Sequence, residues 1–294
     1  MRSATLVFNP FAGRWRSTSL IQRLMATLAR SGFDVEPLPT RGAGDASDRA
    51  RQAAAGGAEV VFALGGDGTL RECAAGLLGS ETALAFLPTG TINVMAMELG
   101  LPLRPLAAAR AYARATVRPF GVGLAGDTPF LMQASAGVDA FLIAALRPLE
   151  KKLMGPVAAV PAAIRSLLRY SFPAFEVTTA AGTRTVTLAV AANIRRYGGP
   201  WQLTPGARSD GERLELFSYS GRGRAAIIGL ALSLLVGRHL KAAGSRVESV
   251  RKVTIQAAGA LPFQIDGDML APARDRPLEI TVSDHKISML APAP

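Results

Sequence analysis

The stretch Val60-Val61-Phe62-Ala63-Leu64-Gly65-Gly66-Asp67-Gly68-Thr69 decides the architecture. Its first five residues form an unbroken apolar run bounded by glycines, the pattern of a strand buried on both faces of a parallel sheet. Helical spacing follows over Thr69 to Leu78, so the glycine-rich turn stands at a strand-to-helix junction. In parallel α/β sheets, ligands gather at the carboxyl ends of the strands. Glycines there let backbone N–H groups approach phosphate oxygens, and the next helix offers its positive end. Thr69 is placed to cap that helix or donate to a phosphate. Asp67 is placed to hold Mg²⁺ or orient a hydroxyl.

The flanking sequence repeats the pattern. Thr5 to Phe8 is a short strand stopped by Asn9-Pro10, and Leu20, Ile21, Leu24, Met25 and Leu28 line one face of a helix over Ser17 to Ser31. Val35 to Leu38 reads as a strand, Asp45 to Ala55 as a helix, Leu84 to Leu87 as a buried strand and Asn93 to Leu99 as a helix. This alternation predicts a doubly wound parallel α/β domain over residues 1–120. Beyond Phe120, helical signals persist between Leu142 and Tyr170, and then period-2 segments dominate. Val186, Leu188 and Val190 alternate with Thr185, Thr187 and Ala189, and Leu214 to Ser218, Val253 to Gln256, Leu278 to Val282 and Ile287 to Leu290 also read as strands. The last two are expected to form a hairpin across Ser283-Asp284-His285-Lys286. Residues 121–294 are therefore expected to form a mostly antiparallel β domain, whose C-terminal tail is free to pack back on the first domain.

Composition narrows the function classes. With 33 Lys and Arg against 22 Asp and Glu, the net charge of +11 favours a polyanionic partner: a nucleotide, a nucleic acid or an anionic membrane. Aromatics are only 6% and the basic residues form no long stripe, which argues against nucleic acid. A single cysteine, Cys73, excludes an intrachain disulfide or a cysteine-rich zinc site, and a reducing cytoplasm fits. The N-terminal apolar run is too short for a signal peptide. The longest apolar run, Ala225 to Gly237, is too short to span a bilayer, so no transmembrane segment is expected. That run reads as a buried core helix in preference to a shallow membrane contact. Oligomeric state is left open, a homodimer included.

Other strand ends carry loops of similar character. Pro88-Thr89-Gly90-Thr91-Ile92-Asn93 follows one strand, Asn9-Pro10-Phe11-Ala12-Gly13-Arg14 another and Thr40 a third, so four successive strand ends suit a nucleotide. The P-loop, protein-kinase and dinucleotide-fold fingerprints and the Gly-x-Ser-x-Gly elbow are missing. In the β half, Ser209-Asp210-Gly211-Glu212 and Gln264-Ile265-Asp266-Gly267-Asp268 contain Asp-Gly pairs that suit hairpin turns.

Taken in order, these motifs resemble the diacylglycerol kinase catalytic family, which includes bacterial lipid kinases and sphingosine kinases. The resemblance runs through Asn9-Pro10-x-Ala12-Gly13, Thr40, Gly65-Gly66-Asp67-Gly68-Thr69 with Glu72, and Pro88-x-Gly90-Thr91-x-Asn93. It continues through Gly137-x-Asp139-Ala140, Lys151 and Lys152 before Gly155, Pro205 to Asp210-Gly211, and Asp266-Gly267. It implies an N-terminal nucleotide domain, a C-terminal β-sandwich and transfer of the ATP γ-phosphate to a lipid hydroxyl. Asn9, Gly13, Thr40, Gly65, Gly66, Asp67, Gly68, Thr69, Leu70, Arg71, Glu72, Gly90, Thr91 and Asn93 would form the ATP site. Asp210, with the backbone carbonyls of Ala207 and Glu212, would hold Mg²⁺ or Ca²⁺. The general base of the family is a Glu, and Asp268 stands at that position. An Asp that many relatives carry after the second-loop Asn is here Val94, and Pro119-Phe120-Gly121-Val122-Gly123 lacks the carboxylate often found where the β domain begins. The expected partner is a lipid at an anionic membrane surface, met peripherally; Leu142 to Leu149 and Met154 to Leu168 read first as ordinary core helices and second as the lining of an acyl pocket. An NAD kinase-like enzyme and a catalytically weakened regulator of the same fold are the competing readings.

Overall fold

The computed structural model describes residues 1–10, 18–42, 44–145, 169–270 and 276–292. Gly13, Lys151, Lys152, Gly155 and the apolar positions 146–168 lie outside the described residues. Two compact units emerge, Met1–Gly121 with Asp284–Pro294, and Val122–Ser283.

The first unit is built on parallel strands β1 (Arg2–Phe8), β2 (Phe33–Pro39), β3 (Val60–Gly65) and β4 (Ala83–Pro88), with β5 (Ala115–Phe120) closing the chain's first pass. Helices α1 (Thr18–Arg30), α2 (Asp45–Ala55), α3 (Asp67–Leu77), α4 (Val94–Glu98) and α5 (Pro105–Ala111) connect them. Spatial order is β2-β1-β3-β4, then the C-terminal strand Ile287–Pro292, then β5. The chain leaves β1 in one direction to form β2 and returns past it to form β3 and β4. Right-handed crossovers then put α1 on one face and α2 with α3 on the other. The packing agrees, since α1 lies against α5 and α2 against α3. Val60, Val61, Phe62 and Ala63 are wholly buried, as a strand covered by helices on both faces requires. Phe62 meets Phe33 and Tyr112 edge-on, with ring centroids 5.1 and 5.3 Å away. Burying such a side chain contributes about 2–3 kcal/mol.

The expected hairpin at Ser283 to Lys286 is not formed. Leu278–Val282 pairs with Lys252–Gln256 and Gly123–Ala125 in the second unit, whereas Ile287–Pro292 runs parallel to β4 and antiparallel to β5 in the first. Burial explains the split. Ile287, Met289, Leu290 and Ala291 are each at most 1% exposed, so both faces of this strand are covered, as only an interior position of the α/β sheet provides.

The second unit has two six-stranded sheets, and every strand pairing in them is antiparallel. Period-2 alternation sends Leu214 and Leu216 into the core between the sheets, together with Val177, Val253, Ile255 and Ile280. Phe217 and Tyr219 point to the other face, where helix Gly223–Leu235 covers them with Ile227 and Leu230. Its apolar run predicts a buried core helix. Only one side of it is buried, because Ile228, Leu232 and Leu235 remain exposed.

Candidate active site

Four parallel strand ends share one edge of the first unit's sheet. Backbone bonds tie them together: Thr40 N donates to Phe8 O at 2.8 Å, and Thr89 N to Gly65 O at 2.7 Å. The β3 loop and the β4 loop lie side by side. A methyl group on Gly90 would come 2.7 Å from Gly66 Cα and 2.7 Å from Asn93 Oδ1, so only glycine permits this approach. Gly66 caps α3 in extended conformation, and the helix starts at Asp67, two residues earlier than its apolar spacing indicates. Gly65, Gly66, Gly68 and Thr69 are half-buried, while Gly90 and Thr91 are exposed, so both loops keep surface open to a ligand. Asn9 is half-buried at the end of β1.

Several side chains shape the loops. Asp67 is a shaping residue: Oδ2 accepts Val94 N at 2.9 Å and Oδ1 accepts Met95 N at 3.1 Å, so one carboxylate caps α4 from the neighbouring loop. A carboxylate at a helix N-terminus is favoured by the exposed amides and by the dipole. Asn93, in left-handed conformation at φ 57°, locks its own loop: Gly90 N donates to its Oδ1 and its Nδ2 donates to Gly90 O, both at 2.9 Å. Leu70 belongs to the core at 1% exposure, with its amide bonded to Gly66 O. Arg71 and Glu72 are half-buried on α3. Thr40 is buried, and its Oγ1 has no hydrogen-bond partner among the described residues. An orphaned buried hydroxyl at the carboxyl end of a parallel strand is a group that a polar ligand can satisfy. Beside it, Asp45 Oδ2 accepts Arg41 N at 2.7 Å and Arg49 Nε at 3.1 Å, which orders the loop after Thr40. The amide bond from Arg41 and the Arg49 guanidinium hold the Asp45 carboxyl below its ordinary range.

Asp268 is exposed on the second unit, in a hairpin whose strands pair Ile265 with Asp268. Asp266 and Gly267 have φ of 50° and 88°, as a tight two-residue hairpin turn demands. The Asp266 carboxylate is buried and accepts the amides of Leu131, Met132 and Gln133 at 2.7, 2.8 and 2.9 Å. A buried polar network supports the same turn. Gly267 N donates to Gln264 Oε1 at 2.8 Å, and Gln264 Nε2 donates to Ser135 Oγ at 2.8 Å and to Asp139 Oδ2 at 2.9 Å. Asp139 also accepts the hydroxyls of Ser135 and Tyr197. Burial, reinforced by the negative charge of Asp139, pushes the Tyr197 phenol well above its ordinary value, so it stays a donor. Sequence reasoning assigned no role to Ser135, Tyr197 or Gln264. The available signal was polar residues inside otherwise apolar strands, as in Gln133-Ala134-Ser135-Ala136.

The Asp210 loop is a short turn in which Asp210 Oδ1 accepts Glu212 N at 3.2 Å. Asp210 and Glu212 are exposed, and Ala207 is buried with its amide bonded to Thr204 O. Among the described residues, no three carboxylate, imidazole or thiol side chains converge as a metal cage. Mg²⁺ commonly rests on one or two carboxylates plus substrate phosphates, so a cation carried by ATP needs no such cage.

Residues 3–125 match the family described as the diacylglycerol kinase catalytic domain. Residues 132–291 match the one described as the YegS C-terminal NAD kinase beta sandwich-like domain. A protein of Pseudomonas aeruginosa (strain UCBPP-PA14), named "Probable lipid kinase YegS-like", is 30% identical over 298 residues, covering 96% of this chain and 92% of that one. The diacylglycerol kinase of Bacillus subtilis (strain 168) is 24% identical over 273 residues, covering 91% and 90%. A crystal structure of a diacylglycerol kinase from Bacillus anthracis str. Sterne shares the fold, with a TM-score of 0.72 at 19% identity over 99% of this chain and 96% of that one.

Proposed function

The chain belongs to the diacylglycerol kinase-like family of lipid kinases, and from that premise we propose that it transfers the γ-phosphate of Mg-ATP to the hydroxyl of a diacylglycerol-like lipid. The observation that carries the reading is the paired Gly66 and Gly90 loops, tied together by Asp67 and open on the same sheet edge that carries the orphaned Thr40 hydroxyl. Backbone amides of the Gly65–Thr69 loop and the α3 N-terminus receive the phosphates. Thr69, Thr91 and Arg71 add side-chain donors, and Thr40 and Asn9 border the nucleotide. Mg²⁺ bound with ATP would neutralise charge on the transferring phosphoryl group. Asp268 accepts the lipid hydroxyl proton as its oxygen attacks phosphorus and the bond to the ADP oxygen breaks. Asp266 and the Gln264–Asp139 network hold the turn that presents Asp268, which matters because about 1 Å of misplacement can cost roughly 100-fold in rate. The Asp210 loop is assigned as an accessory Mg²⁺ or Ca²⁺ site through Asp210 and the carbonyls of Ala207 and Glu212. A cation held there would have a structural role, ordering the turn that leads into Leu214–Tyr219.

ADP release on adding diacylglycerol vesicles to protein and Mg-ATP tests the reading. Lipid-dependent ADP formation that stops with EDTA and returns with Mg²⁺ is expected. ATP binding with no lipid-dependent turnover would replace the kinase by a nucleotide-dependent regulator.

A further inference from the structure

Helix Gly223–Leu235 is apolar on two sides. Ile227 and Leu230 are buried against Leu188, Val190, Phe217 and Tyr219. The outward side presents Ile228, Leu232 and Leu235, then Val236 and Leu240, with exposures of 44, 58, 56, 68 and 40%. Spacings of four and three residues put the first three in one stripe. Single exposed leucines are ordinary on a protein surface, but a continuous stripe marks an interaction face. Exposed Arg222 and Arg224 stand at one end of the helix, and exposed Arg238 and Lys241 at the other. No Asp or Glu occurs from Leu216 to Val247. The short strand Trp201–Gln202 lies beside the helix, and Trp201 is 40% exposed.

We propose that this face docks on an anionic lipid bilayer, with the helix lying in the plane of the headgroups. Thirteen residues make a helix of about 20 Å, short of the roughly 30 Å hydrocarbon core, so the helix lies on the membrane and does not cross it. Its apolar stripe enters the acyl boundary, the flanking cations meet lipid phosphates, and Trp201 takes the boundary position that indoles favour. Charge separates this occupant from a second copy of the chain. A two-fold interface sets a patch against itself, so the cationic helix ends would face cations with no carboxylate from the same stretch to offset them. Anionic headgroups offset them directly. The inference deepens the proposed function by naming the surface that meets the acceptor's membrane, and it is tested without turnover, so the two can fail separately.

Co-sedimentation with vesicles of phosphatidylcholine, alone or mixed with phosphatidylglycerol, tests it on the whole chain. The triple variant Leu232→Ser/Leu235→Ser/Val236→Ser changes exposed side chains only, and circular dichroism checks its fold. Binding at least about tenfold stronger to the mixed vesicles is expected for the wild type, weakened roughly 100-fold in the variant by the lost apolar contact. Equal binding by variant and wild type, or no binding of the wild type to phosphatidylglycerol vesicles, would overturn the proposal. So would a wild-type dimer in light scattering that the variant splits while vesicle binding stays unchanged. Phosphorylation of a short-chain, water-soluble diacylglycerol by the wild type decides the kinase reading independently.

Discussion

Replacing Asp67 with Ala probes the frame of the glycine-loop edge before it probes chemistry. Its carboxylate is the acceptor for the Val94 and Met95 amides, and those residues are 8% and 0% exposed. Removing it leaves two buried N–H groups without their acceptor, at about 1–3 kcal/mol each. α4 has five residues and no intrinsic stability to compensate. Partial hydration from the open side of the loop lowers the sum, so a loss of about 3 kcal/mol is expected, a large share of the roughly 5–15 kcal/mol that typically holds a domain together. Asp67→Asn keeps one oxygen acceptor but turns an amide donor toward the other N–H, and about half that loss is expected. Urea unfolding followed by far-ultraviolet circular dichroism gives the global figure, and hydrogen exchange of the peptide covering residues 93–99 gives the local one. An Asp67→Ala protein within about 0.5 kcal/mol of wild type, with unchanged exchange in that peptide, would refute the capping role. It follows that lost activity in Asp67→Ala does not by itself identify a metal ligand.

Other perturbations separate the parts of the site. Gly90→Ala drives a methyl group into Gly66 Cα and Asn93 Oδ1, and calorimetric titration is expected to show ATP affinity at least about tenfold weaker, the loss of roughly one phosphate hydrogen bond. Asp268→Ala is expected to lower kcat by about 100-fold or more with ATP affinity unchanged, whereas Asp268→Glu, which carries the family's usual base, retains turnover. Cys73 is wholly buried, and burial raises its thiol pKa far above the ordinary value. An aromatic disulfide reagent at pH 8 should leave it unmodified until urea is added, and rapid reaction of the folded protein would contradict its placement. Burial also raises the phenols of Tyr112, Tyr170 and Tyr197, Tyr170 to about 12. A raised folded pKa stabilises the protein fully below the unfolded value near 10, and that contribution is lost as pH rises through the folded values. Absorbance at 295 nm is therefore expected to show phenolate from these residues only above pH 11, together with unfolding.

Much of the architecture can be read locally. The apolar runs at Val60 to Leu64 and Leu84 to Leu87 need burial on both faces, and the helices between them show one apolar side. These features specify a parallel sheet and place the glycine loops at the carboxyl ends of its strands. Partners chosen across the chain are another matter. Ile287 to Leu290 and Leu278 to Val282 look like a hairpin because four polar residues separate them, yet the later strand is drawn between β4 and β5 by burial that no local pattern encodes. The Ala225 to Gly237 run has a buried and an exposed apolar side, which composition cannot tell apart. Within the site, the residue types at the strand ends are visible, but their duties are not. Asp67 and Asn93 read as ligand-binding groups, and the structure adds a loop-shaping duty that no local pattern displays, through bonds to Val94, Met95 and Gly90. Ser135 lies four residues from Asp139, but Tyr197 and Gln264 reach it from 58 and 125 residues away, Gln264 through its strand pairing with Ser135.

Transfer of labelled γ-phosphate from Mg-ATP into a total lipid extract, with wild type and Asp268→Ala compared side by side, is the most direct test of the assignment. A single labelled, chloroform-soluble product formed by the wild type and nearly absent with the variant is the expected result, and its identification names the acceptor. Label that stays in ATP and water-soluble products, with a protein shown by calorimetry to bind ATP, would contradict the lipid kinase assignment.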